Sequence, residues 1–539
     1  MRNKFFLNFY CFIFFFPLLI NAQKVTKNQL NWYNGKGKAM FTDLSYQKIL
    51  KNKESKSVIV AIIDSGVDVE HEDLKTNIWV NQDEIPNNNI DDDNNGFIDD
   101  VNGWNFLGNS SGENLNNVRL ELSRLYADLS IKFKDLGVNE IESELKEEYS
   151  LFTEIKEKYE KKRNGIKNQV ESFSQMLGMM SLADSLLKVY FKGNYLHKDL
   201  KKLKKNHPQY DNAQKIITLH IFGLSFNSFK DQVNYLQKQL DYNYNANIDP
   251  RAEIIGDDPS NIEDDKYGNN DVEGPDAGHG THCAGIIGAI RNNNLGNDGV
   301  AQNVKLMSVR AVPNGDEWDK DIALAIRYAV DNGAKVINMS FGKAYSPEQE
   351  MVINAIRYAE KNDVLLVHAA GNSSSNNDIS DHYPAPKYPS MKKPFTNWIE
   401  VGASTRFSKA KVKKGYLKRD GLAAEFSNYG AKSVDIFAPG HDIYSTVPNN
   451  KYDLYNGTSM AAPMVSGVAA LLKSYYPQFS MLEVKNIIIQ SAEDCNGLNT
   501  LLPGSITKEI SFSKLCSTGG LVNVYNAIQL AEKKLNNNL

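Results

Sequence analysis

The chain has 539 residues, 41% hydrophobic and 23% charged, with a formal net charge of −4. That length and balance fit one large globular domain carrying an insertion, or two to three domains. The near-neutral charge argues against nucleic acid or an anionic membrane surface as a partner, and nine histidines with four cysteines exclude a metal cluster rich in Cys and His.

In residues 1–22, MRNKFFLNFYCFIFFFPLLINA, Arg2 and Lys4 precede an apolar run that ends in the small residue Ala22. This is the layout of a cleaved secretory signal, so the protein is expected to be exported, secreted or periplasmic. A membrane anchor is the alternative, but the run is short for a span. Cys11 lies inside the run rather than at a cleavage point, which argues against a lipoprotein. Residues 23–56 form a short N-terminal segment.

From Ser57, SVIVAIIDSGVD reads as a buried parallel strand whose carboxyl end presents Asp64. The loop NNNIDDDNNGFIDDVNGWNF follows. Counted from Asp91, oxygen ligands fall at Asp91, Asp93 and Asn95, then Gly96, the Phe97 carbonyl and Asp99 or Asp100. That is the first half of an EF-hand-like calcium loop; position twelve is Asn102 instead of Glu, so a complete EF-hand is excluded. A Ca²⁺ ion stiffening this loop is expected, with an acidic Asn-rich turn as the alternative.

Strand signals vanish over residues 113–245. There Ile141, Leu145, Tyr149, Phe152, Ile155 and Tyr159 form one apolar stripe on an otherwise charged helix. The spacing predicts an antiparallel α-helical insertion, serving packing or substrate gating. Beyond it, GHGTHCAGIIGAI sets His279 ahead of a helix of small residues. The runs VKLMSVRAV, AKVINMSFG, DVLLVHAAGN, WIEVGAST and SVDIFAPG alternate with helical patterns such as DKDIALAIRYAVDNG. The expected fold is α/β, a mostly parallel sheet with helices on both faces, with functional loops at the carboxyl ends of the strands. HAAGN offers the Asn372 amide just past a strand, and NGTSMAAPMVSGVAALLKS places Ser459 where a polar loop becomes an apolar helix. Of the cysteines after the signal, an oxidising compartment permits a Cys495–Cys516 bridge closing a short surface loop, leaving Cys283 free.

Acyl transfer needs a hydroxyl nucleophile, a base, a carboxylate to orient the base, and donors for the developing oxyanion. Ser459, His279, Asp64 and Asn372 supply one residue type for each role. Singly, Ser459 reads as a helix N-cap, Asp64 as a strand-end carboxylate, Asn372 as a turn residue, and His279 with His282 as half a metal site. All four inside extended motifs outweigh those separate readings.

These stretches resemble the subtilisin family of serine endopeptidases over about residues 57–110 and 270–535, and the order Asp, His, Ser is that family's. The resemblance implies a catalytic domain of residues 57–112 and 246–539 that hydrolyses peptide bonds through Asp64, His279 and Ser459, with Asn372 and the Ser459 N–H holding the oxyanion. It implies that His282 is structural. It further implies an extended polypeptide substrate paired along Ser340, Phe341 and Gly342, with Ala369, Ala370 and Gly371 walling the pocket for the residue before the scissile bond. An apolar or aromatic residue is expected in that pocket. Asp73 matches a calcium ligand of the family, and Cys283 matches the free thiol of the proteinase K-like branch. Residues 23–56 are short for the family's inhibitory propeptide, which leaves folding without one or a simple tether. The helix GLVNVYNAIQLAEKK is expected to close the catalytic domain. A broad-specificity monomeric endopeptidase with no stable membrane partner is the expectation; a processing protease gated by the insertion, or an inactive binding module, are the alternatives.

Overall fold

The computed structural model describes residues 26, 29–137, 140–221, 226–407, 411–413, 416–418 and 421–537. The signal expected at residues 1–22 lies outside them. Contacts divide the chain into a helical unit, Leu122–Ile248, and an α/β unit, Val25–Glu121 with Asp249–Leu539.

The longer helices of the helical unit are α1 (Glu121–Phe133), α2 (Lys146–Tyr190), α3 (Tyr210–Ile221) and α4 (Phe226–Lys238). The apolar stripe is split: Phe152, Ile155 and Tyr159 are buried on α2, while Ile141 precedes it and Leu145 is its N-cap residue. Phe152 packs with Phe133 and Ile141, and Tyr126 stacks on Tyr159 at 4.2 Å between ring centroids. Farther along α2, Phe173, Met180 and Leu187 pack against Ile216 of α3 and Phe229 of α4.

Besides two short two-stranded ribbons, Lys411–Lys413 with Tyr416–Lys418 and Asn499–Leu501 with Glu509–Ser511, the strands of the α/β unit are β1 (Val58–Asp64), β2 (Gly103–Asn105), β3 (Val304–Arg310), β4 (Val336–Met339), β5 (Leu365–Ala369), β6 (Trp398–Ser404), β7 (Ile436–Pro439), the hairpin β8 (Ile443–Val447) and β9 (Lys451–Tyr455), then β10 (Glu493–Asp494) and β11 (Gly520–Leu521). Its longer helices are α5 (Gly278–Gly288), α6 (Asp319–Asp331), α7 (Gln349–Lys361), α8 (Thr458–Tyr475), α9 (Met481–Gln490) and α10 (Val524–Asn537). Nine strands form the main sheet in the order β10-β11-β7-β6-β5-β4-β1-β3-β2. All neighbours run parallel except β10 and β11.

Alternation along β1 divides the core between two faces, since successive side chains of a strand point to opposite sides. Val60 and Ile62 join Ile286 of α5 and Val465 of α8, whereas Ala61 and Ile63 join Ile326 of α6 and Ile356 of α7. Covered on both faces, the strands are continuous apolar runs. β1 sits between β3 and β4, so the strand order reverses at its end, the place where open α/β sheets put their crevice.

Residues 29–56 are no tether. Tyr33, Met40 and Leu50 belong to the core that contains α8, and Trp32 Nε1 donates to the Asp442 carbonyl at 2.9 Å. The Cys495–Cys516 bridge is absent. Both residues are buried free thiols in one apolar cluster, not on a surface loop, and the Cys516 thiol donates to the Gly520 carbonyl. Where the chain leaves and re-enters the α/β unit, Arg119 pairs with Asp249 at 2.8 Å. Among the described residues, no helix is long and apolar enough to cross a membrane.

Candidate active site

Asp64 ends β1 and is 1% exposed. Its Oδ1 accepts the Ser65 backbone N–H and His279 Nδ1–H, each at 2.7 Å. The approach of α5 to β1 depends on Gly280: a β-carbon there would lie 2.1 Å from the Gly66 carbonyl oxygen and 3.1 Å from Asp64 Cβ. Glycine at 280 therefore lets the first turn of α5 press on the strand end and bring His279 to Asp64. Burial alone disfavours a charged His279, but the Asp64 charge and hydrogen bond outweigh it and hold the pKa above the ordinary imidazole value.

His282, one turn later, differs. Its Nε2–H donates to the carbonyls of Ile443 and Asp453, and its ring stacks on Tyr455 at 4.3 Å. Burial pushes its pKa down to about 3, so it is a neutral brace between α5 and the β8–β9 hairpin. Cys283 is fully buried and its thiol donates to the Ser459 carbonyl at 3.3 Å. Burial, reinforced by the nearby Asp64 charge, raises that thiol well above its ordinary pKa and keeps it protonated.

Ser459 stands in the first turn of α8, and its hydroxyl donates to the Ser340 carbonyl at 3.0 Å. Pro463 explains a second link. Proline has no N–H for the carbonyl four residues back, so the Ser459 carbonyl is released from the helix ladder. It accepts Ser340 Oγ at 2.9 Å and Cys283 Sγ instead, which ties α8 to the end of β4 and to α5.

Asn372, just beyond β5, is held by Thr458. The Thr458 N–H and hydroxyl both donate to Asn372 Oδ1, at 2.8 and 3.0 Å, and the Gly371 N–H donates to Thr458 Oγ1 at 3.1 Å. With its oxygen so engaged, the amide turns Nδ2 the other way. A β-carbon on Gly457 would lie 3.5 Å from both Asn372 Nδ2 and the Ser459 nitrogen, so two N–H donors border one small space. A cleft of about 300 Å³ adjoins, lined by Asp64, His279, Ser340, Phe341 and Gly342 among others.

Two residues that fasten the loops around these side chains carried no motif in the sequence. Thr458 is one. The other is Arg310 at the end of β3, 1% exposed, whose guanidinium donates to the carbonyls of Ser65 and Leu115 and to Asn105 Oδ1. It fastens the loops that follow β1 and β2. A lone arginine inside an apolar strand run was its only signal.

In the Asp91 loop, Asp91 accepts the backbone N–H groups of Asn95 and Gly96, and Asn95 Oδ1 accepts that of Phe97. The Asp99 carboxylate is engaged by the N–H groups of Asn88 and Asn89. Asp93 is grouped with Asp100 and with Glu84, their ligand oxygens within 4.8 Å of one another. Asp73 lies elsewhere, its carboxylate accepting Asn293 Nδ2 and the Tyr452 hydroxyl.

The profile of the subtilase family matches residues 55–504, and the chain belongs to that family. It is 39% identical over 224 residues to a thermophilic serine proteinase of Bacillus sp. (strain AK1), covering 41% of this chain and 48% of that protein. To thermitase of Thermoactinomyces vulgaris it is 35% identical over 254 residues, covering 47% of this chain and 75% of that protein. A solved structure described as proteases from Pseudoalteromonas arctica is 27% identical, with 50% of this chain and 82% of that chain covered and a TM-score of 0.38. The chain thus spans about half the length of the first of these curated relatives.

Proposed function

We propose that the chain is an exported serine endopeptidase acting on extended polypeptides. The observation that carries this reading is the 2.7 Å Asp64–His279 contact; it is supported by the Asn372 Nδ2 and Ser459 N–H donors that border one small space. Asp64 holds Nδ1 protonated, which leaves His279 Nε2 free to act as base. The Ser459 hydroxyl swings from the Ser340 carbonyl to His279, loses its proton there, and attacks the scissile carbonyl carbon. The oxyanion that forms is held by Asn372 Nδ2 and the Ser459 N–H. His279 returns the proton to the departing amine. Water, activated by the same histidine, then hydrolyses the acyl-enzyme. Ser340, Phe341 and Gly342 offer backbone groups to the substrate main chain, a contact that reads shape rather than sequence.

Calcium is the cation that fits the Glu84, Asp93 and Asp100 group, since an all-oxygen donor set suits a hard ion. Those three carboxylates would hold it, and its charge would offset their mutual repulsion within the loop.

Labelling with a fluorophosphonate, which traps an activated serine, tests the enzymatic reading. Wild-type protein is expected to label, and Ser459→Ala is expected not to. Absence of labelling in folded wild-type protein would remove the peptidase reading.

A further inference from the structure

One side chain that the motifs did not single out stands between the two segments proposed to wall the substrate pocket. His382 follows β5 in the chain, and its Nε2–H donates to the Ala369 carbonyl at 3.2 Å. A β-carbon built on Gly342 would lie 2.4 Å from His382 Cε1 and 2.6 Å from Nε2; one built on Gly371 would lie 3.2 Å from Cε1. The imidazole is therefore pressed against Gly342, with Gly371 close by, and not even a methyl group fits between the ring and Gly342.

The ring cannot sink deeper. Behind it His368, fully buried on β5, lies 5.4 Å away between ring centroids, and is locked by its Nδ1 contact of 3.0 Å to Glu400 Oε2. Glu400 is itself fixed by Trp398 Nε1 at 2.8 Å, and the Trp398 ring lies 5.0 Å from His368. Burial, with repulsion from His368, lowers the His382 pKa to about 4, so near neutral pH the ring offers bulk and no charge.

We propose that His382 fills the pocket between Ser340–Gly342 and Ala369–Gly371 and restricts the residue before the scissile bond to small side chains: alanine, glycine or serine. The proposal rests on the serine-peptidase reading. It replaces the apolar or aromatic preference that the motifs alone implied. Bulky residues are excluded by collision with a backed, immobile ring, and acidic residues find no positive charge to pair with.

The test combines fluorophosphonate titration, which counts active sites, with peptide substrates that differ only in the residue before the cleaved bond. Wild-type enzyme is expected to cleave after alanine at least ten-fold more efficiently than after phenylalanine, per labelled site. His382→Gly is expected to move the phenylalanine-to-alanine ratio of kcat/KM upward by about ten- to a hundred-fold, the range that one or two carbon-sized changes in a pocket produce. His382→Gln, which keeps most of the bulk, should retain the small-residue preference. Wild-type enzyme that labels fully yet cleaves after phenylalanine, leucine or glutamate as readily as after alanine overturns the proposal alone. So does an unchanged ratio in a His382→Gly protein that labels. Failure of the wild type to label overturns the peptidase reading and the proposal together. If His382→Gly does not fold, the wild-type preference decides.

Discussion

Burial pulls the His279 imidazole toward its neutral form, and the adjoining Asp64 carboxylate reverses that pull. A base must be neutral to take a proton, so kcat/KM is expected to rise with pH through a midpoint above the ordinary imidazole value of about 6.5 and then level off. In Asp64→Asn the midpoint should fall below that of the wild type, and the plateau should drop by about four orders of magnitude, the loss known for this change in a triad. A pH–rate profile of both proteins checks this. The same contact stabilises the folded chain while His279 is charged: its contribution is complete below the unfolded pKa and is lost as pH rises through the higher folded value. Asp64, His279, Asn372 and Ser459 were legible because each lies in a short motif whose neighbours are constrained for the same purpose, such as Gly280 at the helix–strand contact. Thr458, Arg310 and His382 were not. Each acts through tertiary proximity to residues distant in the chain, and a lone polar residue carries no spacing that reveals its partner.

At the scale of elements, strands and helices of the α/β unit could be read from period and apolar runs, whereas the order of strands could not, because pairing is set by packing across hundreds of residues. The first turn of α6 shows what such packing involves. Asp321, fully buried, accepts Arg251 Nη1 at 2.7 Å, Nη2 at 2.9 Å and the Tyr267 hydroxyl at 2.5 Å. Asp257 takes the other edge of Arg251 and also pairs with Lys320. Removing one partner from a buried ionic group leaves an uncompensated charge, so Asp321→Ala is expected to cost about 3–5 kcal/mol, read from urea unfolding midpoints. The double change Asp321→Ala with Arg251→Met should recover part of that loss, since the charge is removed with its partner.

For the whole molecule, the acidic loop is where solution conditions enter. A cation held by the carboxylates of Glu84, Asp93 and Asp100, whose oxygens lie within 4.8 Å of one another, would bind the folded chain in preference to the unfolded one. Calcium at about a hundred times its dissociation constant should then add about 2.7 kcal/mol of stability. Calorimetry with calcium and with chelator is expected to show a lower Tm after chelation, and Glu84→Gln should shrink that difference. Glu84 had no signal in the sequence, because it precedes the ligand spacing that begins at Asp91. The involvement of residues 29–56 in the core was missed for another reason: their longest helical stretch, residues 42–50, is too short for the spacing of Tyr46, Ile49 and Leu50 to stand out, and Tyr33 and Met40 lie outside it. Tyr33 and Met40 fill gaps in a surface built by other elements.

The Arg119–Asp249 pair at the neck of the insertion sets how much chain the α/β unit can carry between those two positions. Two positions 130 residues apart in sequence lie within one side-chain contact, so the α/β unit on its own sees the intervening stretch as a loop whose ends already meet. Loop-closure entropy grows only with the logarithm of length: lengthening a handful of residues to this span costs the unit about 2–3 kcal/mol, and a helical segment with its own apolar clusters can offset much of that. The α/β unit therefore accommodates a stretch of this length between Glu121 and Asp249 without redesign of its core, and an ion pair joins the two flanks.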